Sequence, residues 1–264
     1  MPRPLIALLS DFGTRDHYVG TMKGVALGIC GEAAFVDITH EVPPQDILTG
    51  ALELAAAYAY FPSGTIFLVV IDPGVGSARR AIAVAAAGYR FVAPDNGVLT
   101  AVLDAHAPVA AVELTEPRYA RATVSRTFEG RDRFAPAAAW LAAGVALTAL
   151  GRPAGALHRL DIPRPQLSGS AISGEVLRVD RFGNLITNVD RATVAQVAAS
   201  GALDVRIAAH AVGGIVGTYA DVAPGAVCAL FGSSDHLEIA VSGGSATDTL
   251  GMGRGAPVHI SRRA

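Results

Sequence analysis

Ile66-Phe67-Leu68-Val69-Val70-Ile71-Asp72-Pro73-Gly74-Val75-Gly76-Ser77-Ala78-Arg79-Arg80 is the stretch that decides the fold. From Ile66 to Ile71 every residue is apolar, which describes a strand buried on both faces at the centre of a sheet. Pro73, Gly74 and Gly76 then end it. Asp72 is left at the carboxyl edge of the sheet, partly desolvated. A carboxylate there wants a partner, and Arg79 can reach back over the glycine loop to it. A structural ion pair holding a tight turn explains the same residues. The loop is not a dinucleotide fingerprint, because Arg79 occupies the third glycine position.

Working outward, short β-rich runs alternate with amphipathic stretches. Leu5–Leu9, Ala34–Ile38, Thr65–Ile71, Ile82–Ala86, Arg90–Ala93 and Val109–Glu113 read as strands. His17–Cys30, Asp46–Tyr60, Gly97–Ala105 and Asp132–Leu147 read as helices. Ile47, Leu48, Ala51, Leu54, Ala55 and Tyr58 recur at helical spacing, with Asp46 as N-cap. Such alternation predicts an α/β N-terminal domain, residues 1–151, with a largely parallel sheet. Prolines at 153, 163 and 165, with glycines and serines between, mark 152–173 as a linker. Residues 174–264 then read as a smaller, mainly antiparallel β domain, barrel-like, from Gly174–Val179, Asn184–Thr187, Leu203–Ile207, Ala226–Phe231, Leu237–Val241 and Val258–Ile260. Asp190–Ala199 is its one helical stretch, capped by Asp190.

Composition narrows the function classes. Of 264 residues, 51% are hydrophobic and 17% charged, as in globular proteins, and a formal net charge of −2 argues against nucleic acid as the main partner. The apolar run Leu5–Leu9 is too short for a signal-peptide core or a membrane span. The Ala-rich stretch Phe134–Leu150, interrupted by Pro136 and Gly144, reads as a buried helix. Cys30 and Cys228 are read as reduced core residues, and a cytoplasmic location is expected. The seven histidines do not cluster at metal-ligand spacing, and His40 is expected to be a strand-end hydrogen-bonding residue; no metal site is expected. There is no Walker A loop, His-Glu-x-x-His motif or nucleophile elbow.

Polar motifs gather where strands end, which is where open α/β sheets place ligands. Ser10-Asp11-Phe12-Gly13-Thr14-Arg15-Asp16 follows the first strand and carries two carboxylates, which could take cationic or hydroxyl groups; equally, Asp11 could close a turn and Asp16 cap the next helix. Ala93-Pro94-Asp95-Asn96-Gly97 reads first as a turn. Thr127-Phe128-Glu129-Gly130-Arg131-Asp132-Arg133-Phe134 leads into an apolar helix that Asp132 could cap, and sets Glu129 between aromatics. Asp180-Arg181-Phe182-Gly183-Asn184 couples an aromatic to an amide, which suits a purine, although a β-turn accounts for Asp180, Gly183 and Asn184 as cheaply. Gly232-Ser233-Ser234-Asp235-His236 is a polar turn between two strands.

In this order, these segments resemble the S-adenosylmethionine hydroxide adenosyltransferases, whose relatives include halogenating enzymes acting on the same substrate. Asp37-Ile38-Thr39-His40, Phe61-Pro62-Ser63-Gly64-Thr65-Ile66 and Phe134-Ala135-Pro136-Ala137-Ala138-Ala139 strengthen the resemblance, which runs from about Leu5 to Ile260. It implies hydrolysis of S-adenosyl-L-methionine to adenosine and L-methionine by water attacking ribose C5′, with no cofactor. It also implies a homotrimer whose sites lie between the N domain of one subunit and the C domain of the next. Asp72 and Arg79 match two members of the Asp–Arg–His set of the water-using branch; where that branch has histidine, this chain has Glu129. Asp11 matches the holder of the ribose hydroxyls, Asp16 and Asp180 match residues near the methionine amine, and Phe182 and Asn184 match the adenine-binding pair. Tyr219 falls near a second adenine-stacking position, and Ser233 and Ser234 near the methionine carboxylate. The alternatives are a halide-using adenosyltransferase, for which Gly130 would leave room for an anion, and a non-catalytic adenosine or S-adenosylmethionine binder.

Overall fold

The computed structural model describes residues 3–198 and 202–263, which divide into two compact units meeting at Asp161 and Ile162. In the first unit, strands β1 (Leu5–Ser10), β2 (Ala34–Thr39), β3 (Ile66–Val70), β4 (Ala81–Ala86), β5 (Tyr89–Pro94), β6 (Ala110–Glu113) and β7 (Arg152–Pro153) form one sheet in the order β2-β1-β3-β5-β4-β6-β7. The pairs β2–β1, β1–β3 and β3–β5 are parallel, and β4, β6 and β7 extend the sheet antiparallel. Helices α1 (Tyr18–Ile29), α2 (Ile47–Ala57), α3 (Thr100–Ala105) and α4 (Ala135–Ala142) complete the unit.

The apolar run at 66–71 takes the central place its composition demands. Every residue of β3 is buried, because alternate side chains feed two cores: Leu68 and Val70 pack with Phe134 and Ala138, while Phe67 and Val69 pack with Leu54 and Phe91. Phe67 stacks on Phe91 with ring centroids 5.1 Å apart. Asp46 caps α2, accepting from the Thr49 N–H at 3.0 Å. The last helix differs from its expected span of Asp132–Leu147: a π-helical turn over Gly130–Phe134 leads into α4, and a 3₁₀ turn occupies Leu147–Leu150. Asp132 is therefore not its N-cap. It lies inside the π turn, fully buried.

In the second unit, strands β8 (Gln166–Ser168), β9 (Ala171–Val179), β10 (Leu185–Asp190), β11 (Leu203–Ile207), β12 (His210–Gly213), β13 (Ile215–Val216), β14 (Val227–Phe231), β15 (His236–Val241) and β16 (Pro257–Arg262) form a second sheet. Its order is β12-β11-β16-β9-β10-β15-β14-β13, with β8 added on β9, and every pairing but β13–β14 is antiparallel. The two ends of that order are separated in sequence by Gly214 alone, so the sheet curls into a nearly closed barrel around Ile172, Val189, Val205, Ile239 and Val258. Helix α5 (Arg191–Ala198) is capped by Asp190, which accepts from the Thr193 N–H at 2.6 Å, and α6 (Ala246–Leu250) follows β15. Residue 199, the expected end of α5, lies outside the described residues. The stretch 152–173 contributes β7 to the first sheet and β8 to the second. Cys228 is buried and Cys30 half-buried, and neither forms a disulfide.

Because Phe67 touches the centre of its core on all sides, Phe67→Ala should cost about 3–5 kcal/mol. Urea unfolding measures it; a loss below about 1 kcal/mol would mean that the layer around β3 can collapse into the space.

Candidate active site

The parallel strands of the first sheet deliver polar residues to one edge. Ser10 and Val70 are paired in register at the ends of β1 and β3, so Asp11 and the Ile71-Asp72 pair leave the sheet side by side. His40 leaves β2 beside them, its Nδ1 2.7 Å from Ser10 Oγ and its Nε2 3.0 Å from Asp37, the hydrogen-bonding place expected of it. Asn96, beyond β5, donates to the Ile71 carbonyl at 2.8 Å and fixes the backbone just before Asp72.

From Asp72 the chain makes two successive turns, Val75 N–H to Asp72 carbonyl and Ser77 N–H to Gly74 carbonyl, at 3.1 and 3.0 Å. These return Arg79 to Asp72. Arg79 Nε donates to Asp72 Oδ1 at 2.8 Å, and Arg79 Nη2 contacts Asp72 Oδ2. The third nitrogen of the fork, Nη1, lies 3.0 Å from Glu129 Oε2. Arg79 therefore joins two carboxylates, with side-chain exposures of only 6% for Asp72, 10% for Arg79 and 11% for Glu129. Its guanidinium also lies over the Phe134 ring, 5.2 Å from the centroid. Burial disfavours the charge on Arg79, but Asp72 and Glu129 outweigh it and raise its pKa.

Glu129 is held here by the packing of its neighbour. A side chain at Gly130 would meet Met22 Sδ at 3.1 Å, Phe128 at 3.4 Å and Val70 Cγ1 at 3.5 Å, so the backbone lies against the end of β3. Arg133 Nε reaches Glu129 Oε2 at 3.4 Å while its Nη1 donates to the Leu114 carbonyl at 3.0 Å. Glu129 thus has Arg79 as its nearer cation and Arg133 as a second. Arg131 turns to Asp132 instead, with two hydrogen bonds of 2.7 Å. The Asp72 loop meets the segment before Phe128 at Gly76, which has φ of 74°; a Cβ there would come within 2.4 Å of the Arg126 carbonyl. Arg126 in turn donates to the Gly76 carbonyl at 2.8 Å.

The other first-unit candidates occupy different settings. Asp11 Oδ2 accepts from the Gln45 N–H at 2.7 Å, which ties it to the loop before α2 and does not close a turn of its own loop. Burial is the main cause that raises the Asp11 pKa, with the Asp72 charge adding to it against that hydrogen bond. Asp16 is exposed and does not cap α1, whose N-cap His17 makes no side-chain cap bond. Phe12, Tyr18 and Phe128 cluster beside it, with centroids 5.0 to 6.1 Å apart.

The second unit holds its own cluster. Residues 180–184 connect β9 to β10, and Asp180 organises the turn: Oδ1 accepts from the N–H groups of Phe182 and Asn184, both at 2.9 Å, and Oδ2 accepts from Asn184 Nδ2 at 2.8 Å. Asn184 is buried, whereas Phe182 is 75% exposed at the tip. The Thr247 N–H at the start of α6 pins the Gly183 carbonyl at 3.0 Å. Tyr219 opens a 3₁₀ turn capped by Thr218 and Asp221, and its hydroxyl donates to Glu238 Oε2 at 3.0 Å. Ser233 is exposed and Ser234 half-buried in the turn after β14; the Ser234 carbonyl faces His236 Nδ1 at 2.9 Å. Glu238 is the residue that sequence reasoning missed. In His236-Leu237-Glu238-Ile239 it reads as the solvent-facing member of an alternating strand, yet only 6% of it is exposed. Burial, the main cause, raises its pKa and that of Tyr219, the latter to about 12, and Glu238 adds to the Tyr219 shift.

Asp132 anchors the loop that carries Glu129. It accepts from the Ser125 N–H at 2.8 Å and pairs with Arg131 and, at 3.3 Å, Arg121. Burial opposes its charge, but these donors and cations prevail and lower its pKa from 3.8. An acid strengthened by folding contributes stability that is present above its unfolded pKa and lost as pH falls through the folded one. Asp132→Asn should cost about 1–3 kcal/mol at neutral pH and flatten the loss of stability below about pH 4. Urea titrations across that range measure both; an unaltered acid limb would place the acid lability elsewhere.

Comparison with known proteins finds relatives of both halves of the chain. The family model described as SAM hydroxide adenosyltransferase N-terminal domain matches residues 6–151, and the C-terminal domain model matches residues 174–259. The chain is 40% identical to an (R)-S-adenosyl-L-methionine hydrolase of Salinispora tropica, covering 98% of each sequence. It is 33% identical to a fluorinase of an Actinoplanes species over 71% of this chain and 72% of that one. A crystal structure of an uncharacterized conserved protein from Thermotoga maritima superimposes with a TM-score of 0.92 at 35% identity, covering 97% of this chain and all of that one. With both halves matched in order along the chain, this protein belongs to the S-adenosylmethionine hydroxide adenosyltransferase family.

Proposed function

We propose that the chain hydrolyses S-adenosyl-L-methionine to adenosine and L-methionine, water attacking ribose C5′ as the thioether of methionine departs. The observation that carries this reading is the full-length kinship with the hydrolase, stronger in identity than that with the fluorinases. The buried fork of Asp72, Arg79 and Glu129 supports it in chemical terms. A sulfonium is a good leaving group and departs neutral, so no general acid and no cofactor enter the scheme. What remains is to place water in line and remove its proton. Such placement contributes on the order of 7–11 kcal/mol in ideal model systems, and a positioned base about 10²–10⁴-fold.

In this reading Asp72 holds the water and takes its proton. Arg79 orients Asp72. Of its five N–H groups three point to carboxylates, and the remaining two are available to a developing hydroxide. Glu129 stands in for the family histidine as a second acceptor at the far end of the fork. Two carboxylates against Arg79 and Arg133 give no excess positive charge, which disfavours a halide and tolerates neutral water. Asp11 takes the ribose hydroxyls through its remaining oxygen. Phe182, Asn184 and Tyr219 take the adenine, and Asp16, Asp180, Ser233 and Ser234 border the methionine portion. We place the first-unit residues Asp11, Asp16, Asp72, Arg79 and Glu129 on one subunit and the second-unit residues on the next, in a homotrimer acting in the cytoplasm.

Mass spectrometry of products formed in ¹⁸O-enriched water tests the reaction: the label is expected at the adenosine 5′ oxygen. Halogenated adenosine formed in the presence of chloride or fluoride would overturn the hydrolase reading, and binding without methionine release would make the chain a binding protein. Asp72→Ala should lose roughly 10²-fold or more in turnover with adenosine affinity little changed. Glu129→Gln should slow turnover at similar substrate affinity, and an unaltered rate and pH profile would leave Asp72 and Arg79 to act alone. Solution scattering tests the assembly; a monomer-sized particle in a fully active sample would exclude shared sites.

A further inference from the structure

We infer that Arg133 is a positioning residue for the reaction: it supplies the second positive charge that lets Glu129, an anion, stand where the family's water-using branch has histidine. The inference rests on the reading of Asp72, Arg79 and Glu129 as the water-activating group. A charge count carries it. Asp72 and Glu129 bring two negative charges to one buried place, and Arg79 brings one positive charge. A neutral histidine beside Asp72 and Arg79 would leave the group neutral, whereas glutamate leaves it one positive charge short. Arg133 closes the difference, its Nε 3.4 Å from Glu129 Oε2.

The geometry singles out Arg133 among the arginines of this segment. Arg121 and Arg131 pair with Asp132, Arg118 faces Glu116, and Arg126 donates to the Gly76 carbonyl. Arg133 donates through Nη1 to the Leu114 carbonyl at 3.0 Å, which anchors its guanidinium just beyond β6. Its Nε is buried and makes no hydrogen bond. A buried donor without an acceptor costs free energy, so anchoring alone is a poor reason to place a guanidinium here. Attraction to an anion is a better one, because it acts at 3.4 Å without hydrogen-bond alignment. Arg79 Nη1 and Arg133 Nε approach the same carboxylate oxygen, Oε2, and Oε1 stays outside both contacts. A carboxylate clamped at one oxygen keeps the lone pairs of the other for a proton from water. Arg133 thus acts through Glu129 and needs no contact with the substrate.

A double-mutant cycle tests this, with steady-state hydrolysis of S-adenosyl-L-methionine by the full-length protein as the readout. Arg133→Met is expected to lower kcat by roughly tenfold with KM changed by less than about twofold, since the residue serves a base rather than substrate binding. Arg133→Lys, which keeps the charge, should recover most of that loss. In a Glu129→Gln background no anion needs compensation, so adding Arg133→Met should leave kcat where Glu129→Gln alone puts it. In a Glu129→His background the sign reverses: Arg133 becomes a surplus cation, and adding Arg133→Met should raise kcat. These two backgrounds also cover the case in which Arg133→Met alone does not fold, because neither holds the uncompensated anion. No loss in the native background, an equal loss in all three, or a loss that Arg133→Lys shares in full would overturn the positioning role while leaving the hydrolase reading intact. A native protein that releases no methionine from S-adenosyl-L-methionine would overturn that reading and this inference with it.

Discussion

The first unit depends on one shared charge. Arg79 lies almost out of water, where a guanidinium is tolerated only if its charge is compensated. Asp72 meets two of its donors and Glu129 a third. Without Arg79, Asp72 would be a buried, uncompensated anion, and Glu129 would keep only Arg133, at 3.4 Å. The three groups therefore stand together, and the loop after β3 is tied to the segment before α4. That tie explains why the loops approach so closely elsewhere: Gly76 lies against the Arg126 carbonyl, and Gly130 against Val70. Desolvation makes the geometry obligatory, and the same desolvation strengthens any interaction with a reacting water.

The π-helical turn follows from this constraint. An ordinary N-terminus would place Asp132 at a cap and leave Glu129 in the preceding loop. Here Asp132 points inward to Ser125, Arg131 and Arg121, and the widened turn from Gly130 to Phe134 takes up the difference. Single π turns interrupting helices occur often at functional sites, because an irregular hydrogen-bond ladder redirects side chains that a regular helix would send elsewhere. Phe134, the last residue of the turn, is buried and offers its ring to the Arg79 guanidinium. The irregularity thus serves both ends of the fork.

Much of this was legible in the residues. The 66–71 run announced a doubly buried strand, and the alternation around it announced the sheet, because apolar periodicity reports burial directly. Asp72 and Arg79 were legible as a pair because a glycine loop can bend back over seven residues and a buried carboxylate wants a cation. The very short strands β7 and β13 escaped, since two residues carry no periodicity. The start of the last helix of the first unit was misread because Asp132 looks like a cap in sequence, and only tertiary partners make it an inward-facing acceptor. Glu238 escaped for the opposite reason. Alternation assigns a charged residue in a strand to solvent, while Tyr219, forty per cent exposed on a separate turn, reaches over to cover it.

The two units share a physical device, and it bears on how such a protein could be specific. A carboxylate has only acceptor sites, so whatever donor group it engages is turned in a defined sense. Asp72 takes the Nε edge of Arg79 and leaves Nη1 for other partners, Glu129 among them. Asp180 takes the amide NH₂ of Asn184 together with the backbone N–H groups of Phe182 and Asn184. Because each orientation is fixed by a bond already made within the fold, neither has to be organised when the ligand arrives. That preorganisation is what turns a polar contact into selectivity.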